Sequence, residues 1–274
     1  MLPEEALVSA IAAAVGGPSG NVVLGIGDDA AVLDDGTVIS TDILVEGVHF
    51  DLARTAPREV GHRAATANLS DLAAMGARPV ALLAAFGLPD GFSGAAEIAA
   101  GMREHGVPVA GGDLSRAPVL IVSVTALGRC ERPVRRSGGR PGDVLVVTGP
   151  LGGQAAAGYT GRVLPRTGEG CALASVATAM IDLSDGIATD AARLARASGT
   201  GAIIELERLP RASGASIEQA ATGGEDYELL AALPPDADPP VPVTVVGRLT
   251  DGADVVLLDA AGAPQSLRGW DHFG

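Results

Sequence analysis

The chain contains no lysine, and all 19 of its basic residues are arginine. A Schiff base, a pyridoxal-phosphate site and a P-loop that ends in Gly-Lys-Ser/Thr each require a lysine amine. The sequence therefore excludes these three chemistries. Ala, Gly and Arg are abundant throughout the chain, so genomic base composition is the ordinary explanation for the missing lysine. The three chemistries are excluded whether base composition or functional selection explains the missing lysine.

Cysteine and aromatic residues are also scarce. The two cysteines, Cys130 and Cys171, are too few for a cysteine metal cluster or a disulfide framework. Aromatic residues make up 3% of the chain, so the core has to be built from Ala, Val, Leu and Ile. Such a core favours tightly packed α/β layers.

Positive charge is scarce relative to negative charge, and the net charge is -14. A field of this sign repels phosphate, so we expect no binding to nucleic acid or to an anionic membrane surface. A phosphate-bearing ligand would have to arrive with metal. No apolar run reaches membrane-spanning length, and residues 1–17 lack the basic-then-apolar pattern of a secretion signal. We therefore expect a cytoplasmic protein.

Helical and strand patterns alternate along the 274 residues, which predicts two mixed α/β domains. The clearest helix covers residues 57–76, and Asp34-Asp35-Gly36 between two β-rich runs predicts a hairpin. Gly111-Gly112 predicts a turn between two further strands. The basic, Gly/Pro-rich segment 131–142 is the best candidate boundary, dividing the chain into residues 1–137 and 138–274.

Aspartates recur where strands or helices meet glycine turns, the usual setting of oxygen ligands for hard cations. The groups are Asp28 and Asp29; Ser40, Thr41 and Asp42; Asp71; Asp113; and Asp182, Ser184 and Asp185. Any one of them alone is more simply a turn or helix-cap residue. Their number and setting favour a metal site.

Asp71 is the single residue that most strongly indicates a metal ligand. Its neighbours at helical spacing are Ala67, Asn68, Ala74 and Met75, so its face of the helix should be buried. A buried carboxylate needs a cation, and no basic residue lies three or four positions away. Asp182 directly follows the apolar run ATAMI, which places it near the end of a strand, where α/β sheets bind ligands.

Other motifs have two readings each. The spaced glycines of residues 25–30 match a dinucleotide fingerprint, but a hairpin follows them and two carboxylates would repel a pyrophosphate, so metal binding is the better interpretation. The Arg-rich loop around Arg136 fits either a phosphate clamp or a solvated linker. His49 fits a structural histidine, and Glu225 fits a turn or a polar substrate contact.

Taken in order, these motifs resemble thiamine-monophosphate kinase. They run from about residue 22 to residue 273 and read GIGDDAAVL, STDILVEGVHF, NLSDLAAMGARP, AGGDLSR, RSGGRPGD, IDLSDGIATD, GGEDYELL and GWDHF. Several are shared across the aminoimidazole-ribonucleotide synthetase superfamily. The signal for the kinase lies in VEGVHF, GGEDYEL and the C-terminal GWDHF.

The resemblance implies a fold of two mixed α/β domains, the first binding ATP and Mg2+ and pairing through its sheet in a homodimer. It implies transfer of the γ-phosphoryl group of ATP to thiamine monophosphate. The implied magnesium ligands are Asp29, Ser40, Thr41, Asp42, Asp71, Asp113, Asp182 and Asp185. The implied ATP contacts are Gly112, Asp113, Arg136 and Ser184, and the implied substrate contacts are His49, Glu225 and Trp270.

Two segments are shorter than in the family, residues 162–166 and 209–221. We therefore expect a shortened C-terminal domain that still contributes to the substrate pocket. Two alternatives stay open: another ATP-dependent enzyme of the superfamily, such as the ring-closing synthetase, and a non-catalytic protein that binds Mg2+ and nucleotide.

Overall fold

The computed structural model describes residues 4–270, so the last residues of the GWDHF motif, 271–273, lie outside the described part. The chain has a mixed α/β architecture with two sheets, as the sequence predicts. The first sheet has six strands in the order β1-β2-β3-β6-β4-β5. These strands are β1 Val22–Leu24, β2 Ala31–Leu33, β3 Thr37–Val45, β4 Arg78–Leu88, β5 Val109–Arg116 and β6 Ile121–Arg129.

The first part of the chain also contains three helices. They are α1 Glu4–Val15, α2 Pro57–Ala74 and α3 Ala95–Met102, the last followed by a 3-10 turn at Arg103–His105. α2 packs against β3, β4 and β6, and its Leu69 and Leu72 are buried with Val122 and Val124 of β6. The predicted hairpin is confirmed, since β2 and β3 are antiparallel and Gly36 has a φ of 80° in the turn between them.

The predicted turn at Gly111-Gly112 is wrong. Both glycines lie inside β5, which runs parallel to β4 with Gly112 opposite Ala84. A Cβ atom at Gly112 would lie 1.7 Å from the Ala84 carbonyl oxygen. Glycine is therefore required here for the close approach of two strands, which a local turn signal cannot distinguish.

The second sheet has seven strands in the order β13-β12-β9-β11-β7-β10-β8. These are β7 Val144–Val147, β8 Ala179–Asp182, β9 Gly201–Glu205, β10 Leu229–Leu233, β11 Thr244–Thr250, β12 Val255–Leu258 and β13 Pro264–Gln265. The helices of this part are α4 Gly153–Ala156, α5 Thr167–Leu173, α6 Ile187–Ser198 and α7 Ile217–Thr222, with a 3-10 turn at Leu206–Arg208.

α2 also contacts the second sheet. Ala73 and Ala74 at its C-terminal end are buried together with Met180 of β8 and Leu229 of β10. Gly170 of α5 lies so close that a Cβ atom there would be 2.1 Å from the Ala73 carbonyl oxygen. α2 is thus enclosed by both sheets, and any polar residue near its C-terminal end has to find its partners inside the protein.

The proposed division at residues 137 and 138 stays a prediction, although strands of the first sheet end at Arg129 and those of the second begin at Val144. Within residues 4–270, no helix is both long enough and apolar enough to cross a bilayer.

Candidate active site

Three carboxylates from distant parts of the chain meet at one point. Asp29 precedes β2, Asp71 lies on α2 and Asp182 is the last residue of β8. One oxygen from each lies within 4.8 Å of the others. Such a group of oxygen atoms matches the ligands that hard divalent cations prefer, and it contains neither the histidine nor the cysteine typical of zinc sites.

Hydrogen bonds orient the three carboxylates. Ser40 of β3 donates to Asp71 Oδ2, and the Ser70 hydroxyl donates to Asp182 Oδ2 at 2.7 Å. Arg136 donates to Asp29 Oδ1 from Nη2 at 2.6 Å and from Nε at 3.1 Å. Each carboxylate is therefore held in one orientation, which a preorganised metal site requires.

The second oxygen of Asp29, Oδ2, is buried and has no hydrogen-bond partner among the described residues. A carboxylate oxygen that is removed from water without a partner is costly, so such atoms usually contact a cation or ordered water. This atom belongs to the group of three converging carboxylates. The residues present therefore fit a divalent metal ion.

Burial and mutual repulsion raise the pKa of these carboxyl groups. Burial, followed by the charges of Asp182, Asp42 and Asp29, raises the pKa of Asp71 well above its ordinary value. Burial and then the charge of Asp29 do the same for the pKa of Asp182. Burial also raises the pKa of Asp28 to about 6, with a further contribution from Asp29. A bound cation would reverse this, because it favours the ionised forms.

A cavity of about 910 Å³ opens beside the three carboxylates, a size that suits a nucleotide together with a small acceptor. Most residues predicted from the sequence line this cavity: Asp29, Thr41, Asp42, His49, Asp71, Arg136, Asp182, Ser184, Asp185, Glu225 and Trp270. The fold thus brings together side chains from both sheets and from α2.

Two of the lining residues are already engaged by their neighbours. The Thr41 hydroxyl donates to the Val124 carbonyl at 3.0 Å, on the neighbouring strand β6. Because side chains alternate along a strand, Ser40 and Asp42 share the face that is turned toward α2. Arg193 of α6 donates to the carboxylates of Asp185 and Asp190, so Asp185 is paired with a cation in the protein itself.

Gly112 and Asp113 do not line the cavity of the single chain. Asp113 of β5 lies in one row across the sheet with a residue from each of the next three strands. These are Ala85 of β4, Ser123 of β6 and Ile43 of β3. This row lies on the outer face of the first sheet, away from α2. Asp113 is exposed there.

The cavity wall at Glu225 contains an ion pair that the sequence analysis missed. Arg63 of α2 donates from Nη2 to both oxygens of Glu225, at 2.5 and 2.8 Å, and to the His49 carbonyl at 3.1 Å. The His49 ring accepts at Nδ1 from the Val45 backbone N–H at 3.0 Å. Arg63 therefore fixes the positions of two residues that the sequence associates with the substrate.

The helical spacing between Arg63 and Asp71 could have indicated that Arg63 lies at the site. Arg63, Ala67 and Asp71 follow one another at intervals of four and all line the cavity. Ser70, Arg193, Tyr159 and Tyr227 were missed as well, because nothing in their local sequence indicates which distant residues they approach.

Comparison with known proteins identifies the class and then the family. Residues 27–130 match the family model described as AIR synthase related protein, N-terminal domain. Residues 27–130, which contain the first sheet from β2 onward and Asp29 and Asp71, therefore form a domain of the AIR synthase related type. The chain is similar to the thiamine-monophosphate kinases of Halobacterium salinarum, with 39% identity over 92% of this chain and 96% of that protein, and of Mycobacterium tuberculosis, with 37% identity over 92% and 86%.

The structure is similar to that of "AaThiL complexed with AMPPCP and TMP", with a TM-score of 0.89 and 30% identity over 99% of this chain and 97% of that one. The chain therefore belongs to the thiamine-monophosphate kinase family.

Proposed function

We propose that this enzyme transfers the γ-phosphoryl group of ATP directly to the phosphate of thiamine monophosphate, giving thiamine diphosphate and ADP. Membership of the kinase family supports the reaction. We infer the place of the reaction from one observation. Asp29, Asp71 and Asp182 converge within 4.8 Å at the wall of a cavity of about 910 Å³. We assign a magnesium site to these three carboxylates.

The acceptor needs no general base from the protein. A phosphate monoester has a second pKa of about 6, so at neutral pH its oxygen is already an anionic nucleophile. The obstacle is repulsion between the two phosphate groups and the acidic wall of the cavity. Mg2+ held by Asp29, Asp71 and Asp182 would neutralise this charge.

The protein's own residues position the metal and the phosphates. Asp29, Asp71 and Asp182 hold the metal, and Ser40 and Ser70 keep two of these carboxylates turned toward it through hydrogen bonds. Asp42 and Asp185 line the same cavity, and we assign them as further ligands along with the neighbouring Thr41. Arg136 donates to one oxygen of Asp29, and the other oxygen has no partner among the described residues. We assign the Arg136 guanidinium to the phosphates.

We assign Arg136 and Ser184 to the nucleotide, and His49, Glu225 and Trp270 to thiamine monophosphate. Glu225 is bonded to Arg63 and its backbone N–H donates to the Ser184 carbonyl at 2.8 Å. The two groups of contacts are therefore joined through the backbone. Trp270 is 54% exposed and lines the cavity, and we assign its indole ring to a heterocycle of the substrate.

We also propose a homodimer formed through the outer face of the first sheet. This face exposes Ile43 and Leu83, which are 50% and 41% exposed in the single chain. A second copy packed on this face would cover them, and it would give Asp113, the residue next to Gly112, neighbours from another chain. The assignment of Gly112 and Asp113 to ATP and magnesium is a proposal that depends on that dimer. A cytoplasmic location stays a prediction from the sequence.

The decisive experiment incubates purified protein with ATP, Mg2+ and thiamine monophosphate and follows thiamine diphosphate and ADP together. We expect equal amounts of both products, and none when Mg2+ is removed with EDTA. ADP formation only with formylglycinamidine ribonucleotide would favour the ring-closing synthetase. Binding of Mg2+ and ATP without ADP formation would favour the non-catalytic alternative.

A further inference from the structure

Left-handed backbone conformations are concentrated at one end of the cavity. Within residues 4–270, the non-glycine residues with positive φ are Tyr159 at 60°, Glu225 at 62° and Tyr227 at 50°. All three line the same cavity. Bulky residues rarely adopt this conformation, and such strain collects at functional sites.

Main-chain hydrogen bonds account for Glu225 and Tyr227. Their backbone N–H groups donate to the carbonyls of Ser184 at 2.8 Å and Leu183 at 3.0 Å, so the chain continues along the end of β8. Arg63 holds the Glu225 side chain in addition. The conformation of these two residues follows from these contacts.

The backbone does not account for a tyrosine at position 159. Its N–H donates to the Gln154 carbonyl at 2.8 Å and closes a turn after α4, a contact that glycine would make equally well. Gly158 next to it also has a positive φ, at 63°. A turn of this kind favours glycine, so the aromatic side chain has to be explained by what the ring contacts.

The side chain of Tyr159 lines the same cavity as Glu225. Tyr159 remains 41% exposed there. Partial burial, then the charges of Glu225 and Asp226, raise the pKa of Tyr159, so the phenol is neutral at physiological pH. A neutral aromatic ring and the Glu225 carboxylate therefore line one cavity.

The face of an aromatic ring attracts a planar cation, and it does so more strongly where water is excluded. Arg63 pairs with Glu225, so the ring of Tyr159 is the group in this part of the cavity wall that we assign to such a cation. We propose that Tyr159 is a specificity-determining residue, whose ring packs against the cationic thiazolium ring of the acceptor beside Glu225. This inference rests on the proposed function, because it takes thiamine monophosphate as the acceptor.

The test uses Tyr159→Gly, which removes the ring and at the same time relieves the left-handed backbone. We expect KM for thiamine monophosphate to rise ~3- to 30-fold, the range expected for the loss of a cation–aromatic contact. KM for ATP should change less than about 2-fold, and the Tm should be equal or higher. Tyr159→Phe keeps the ring and should stay within about 3-fold of the wild type.

Leu164→Ala is the matched control, because Leu164 is 64% exposed in the irregular segment that follows Tyr159 and does not line the cavity. It should leave both KM values unchanged. The effect of charge is tested with an acceptor whose thiazolium is replaced by a neutral thiophene. The wild type should prefer the cationic acceptor, and Tyr159→Gly should lose most of that preference.

The inference is overturned if Tyr159→Gly leaves KM for thiamine monophosphate unchanged or keeps the preference for the cation, while the wild type still makes thiamine diphosphate. It is also overturned if both KM values rise together with a fall in Tm, which would indicate a structural role. Failure of the wild type to phosphorylate thiamine monophosphate would instead contradict the proposed function, and this inference with it.

Discussion

The Ser70 hydroxyl donates to Asp182 Oδ2 at 2.7 Å, across 112 positions of sequence. Ser70 precedes Asp71 on α2, and Asp182 ends β8 of the second sheet. A single helix therefore supplies one carboxylate of the site and the hydrogen bond that orients another. The position of the second sheet relative to α2 is in this way coupled to the geometry of the proposed metal site.

Ser70→Ala should weaken metal binding without preventing folding. The change leaves one Asp182 oxygen without its donor, so we expect the Mg2+ concentration at half-maximal activity to rise ~10- to 100-fold. Saturating Mg2+ should restore part of the rate. Ser175→Ala is the matched control, since Ser175 is exposed and its hydroxyl donates only to the Ala172 carbonyl. An unchanged Mg2+ dependence in Ser70→Ala would contradict the role of this hydrogen bond.

Asp71→Asn should abolish nearly all activity and retain the fold. The amide is a poor magnesium ligand, so we expect a loss of at least ~100-fold in kcat/KM at any Mg2+ concentration. The amide oxygen can still accept from Ser40, and one of several repelling charges is removed. In EDTA the Tm should therefore be equal to or above that of the wild type. Wild-type turnover in this variant would refute its role as a ligand.

Metal removal should change how stability depends on pH. The folded-state pKa of Asp28 is raised from 3.8 to about 6, and the pKa values of Asp71 and Asp182 are also raised well above 3.8. Between the unfolded-state and the folded-state pKa the folded state binds more protons than the unfolded chain, so the free energy of unfolding falls as pH rises from about 4 through 6.

We therefore expect the Tm in EDTA to fall between pH 5 and pH 8. Saturating Mg2+ holds the carboxylates ionised, so it should remove this fall and raise the Tm at pH 8 by ~5 °C or more. Differential scanning calorimetry with and without Mg2+ measures both effects. Identical pH profiles in the two conditions would contradict the proposed metal site.

Leu83→Arg should convert the proposed dimer to a monomer. Leu83 lies on the outer face of the first sheet, where a charge would be buried without a partner on assembly. Analytical ultracentrifugation should show a dimer for the wild type and a monomer for the variant. Val245→Arg is the control, because Val245 is 42% exposed on the second sheet. A wild-type monomer, or loss of the dimer in the control, would contradict this interface.

Local sequence patterns predicted several elements of the first sheet and two of the three converging carboxylates, Asp71 and Asp182, with their settings. The hairpin at Asp34-Asp35-Gly36 and the helix that carries Asp71 depend on turn chemistry and helical spacing, which a single segment contains. Asp182 at the end of β8 followed from an apolar run with a terminal carboxylate. These residues could be proposed as ligands because burial without a cation is costly in any fold.

Features set by two distant segments could not be predicted in this way. Gly112 depends on the approach of β5 to Ala84 of β4, and the outer position of Asp113 depends on strand register. The partner of Arg63 is 162 positions away at Glu225, and the strain at Tyr159 arises from the closure of a turn onto the cavity. Each of these relationships exists only after the sheets have packed.

The most direct test of the metal assignment is the anomalous scattering of Mn2+ in crystals of the protein grown with a non-hydrolysable ATP analogue. We predict an anomalous peak within about 2.3 Å of an oxygen from each of Asp29, Asp71 and Asp182, and its loss in Asp71→Asn. A Mn2+ ion bound to the nucleotide but ligated by none of these three carboxylates would contradict the account.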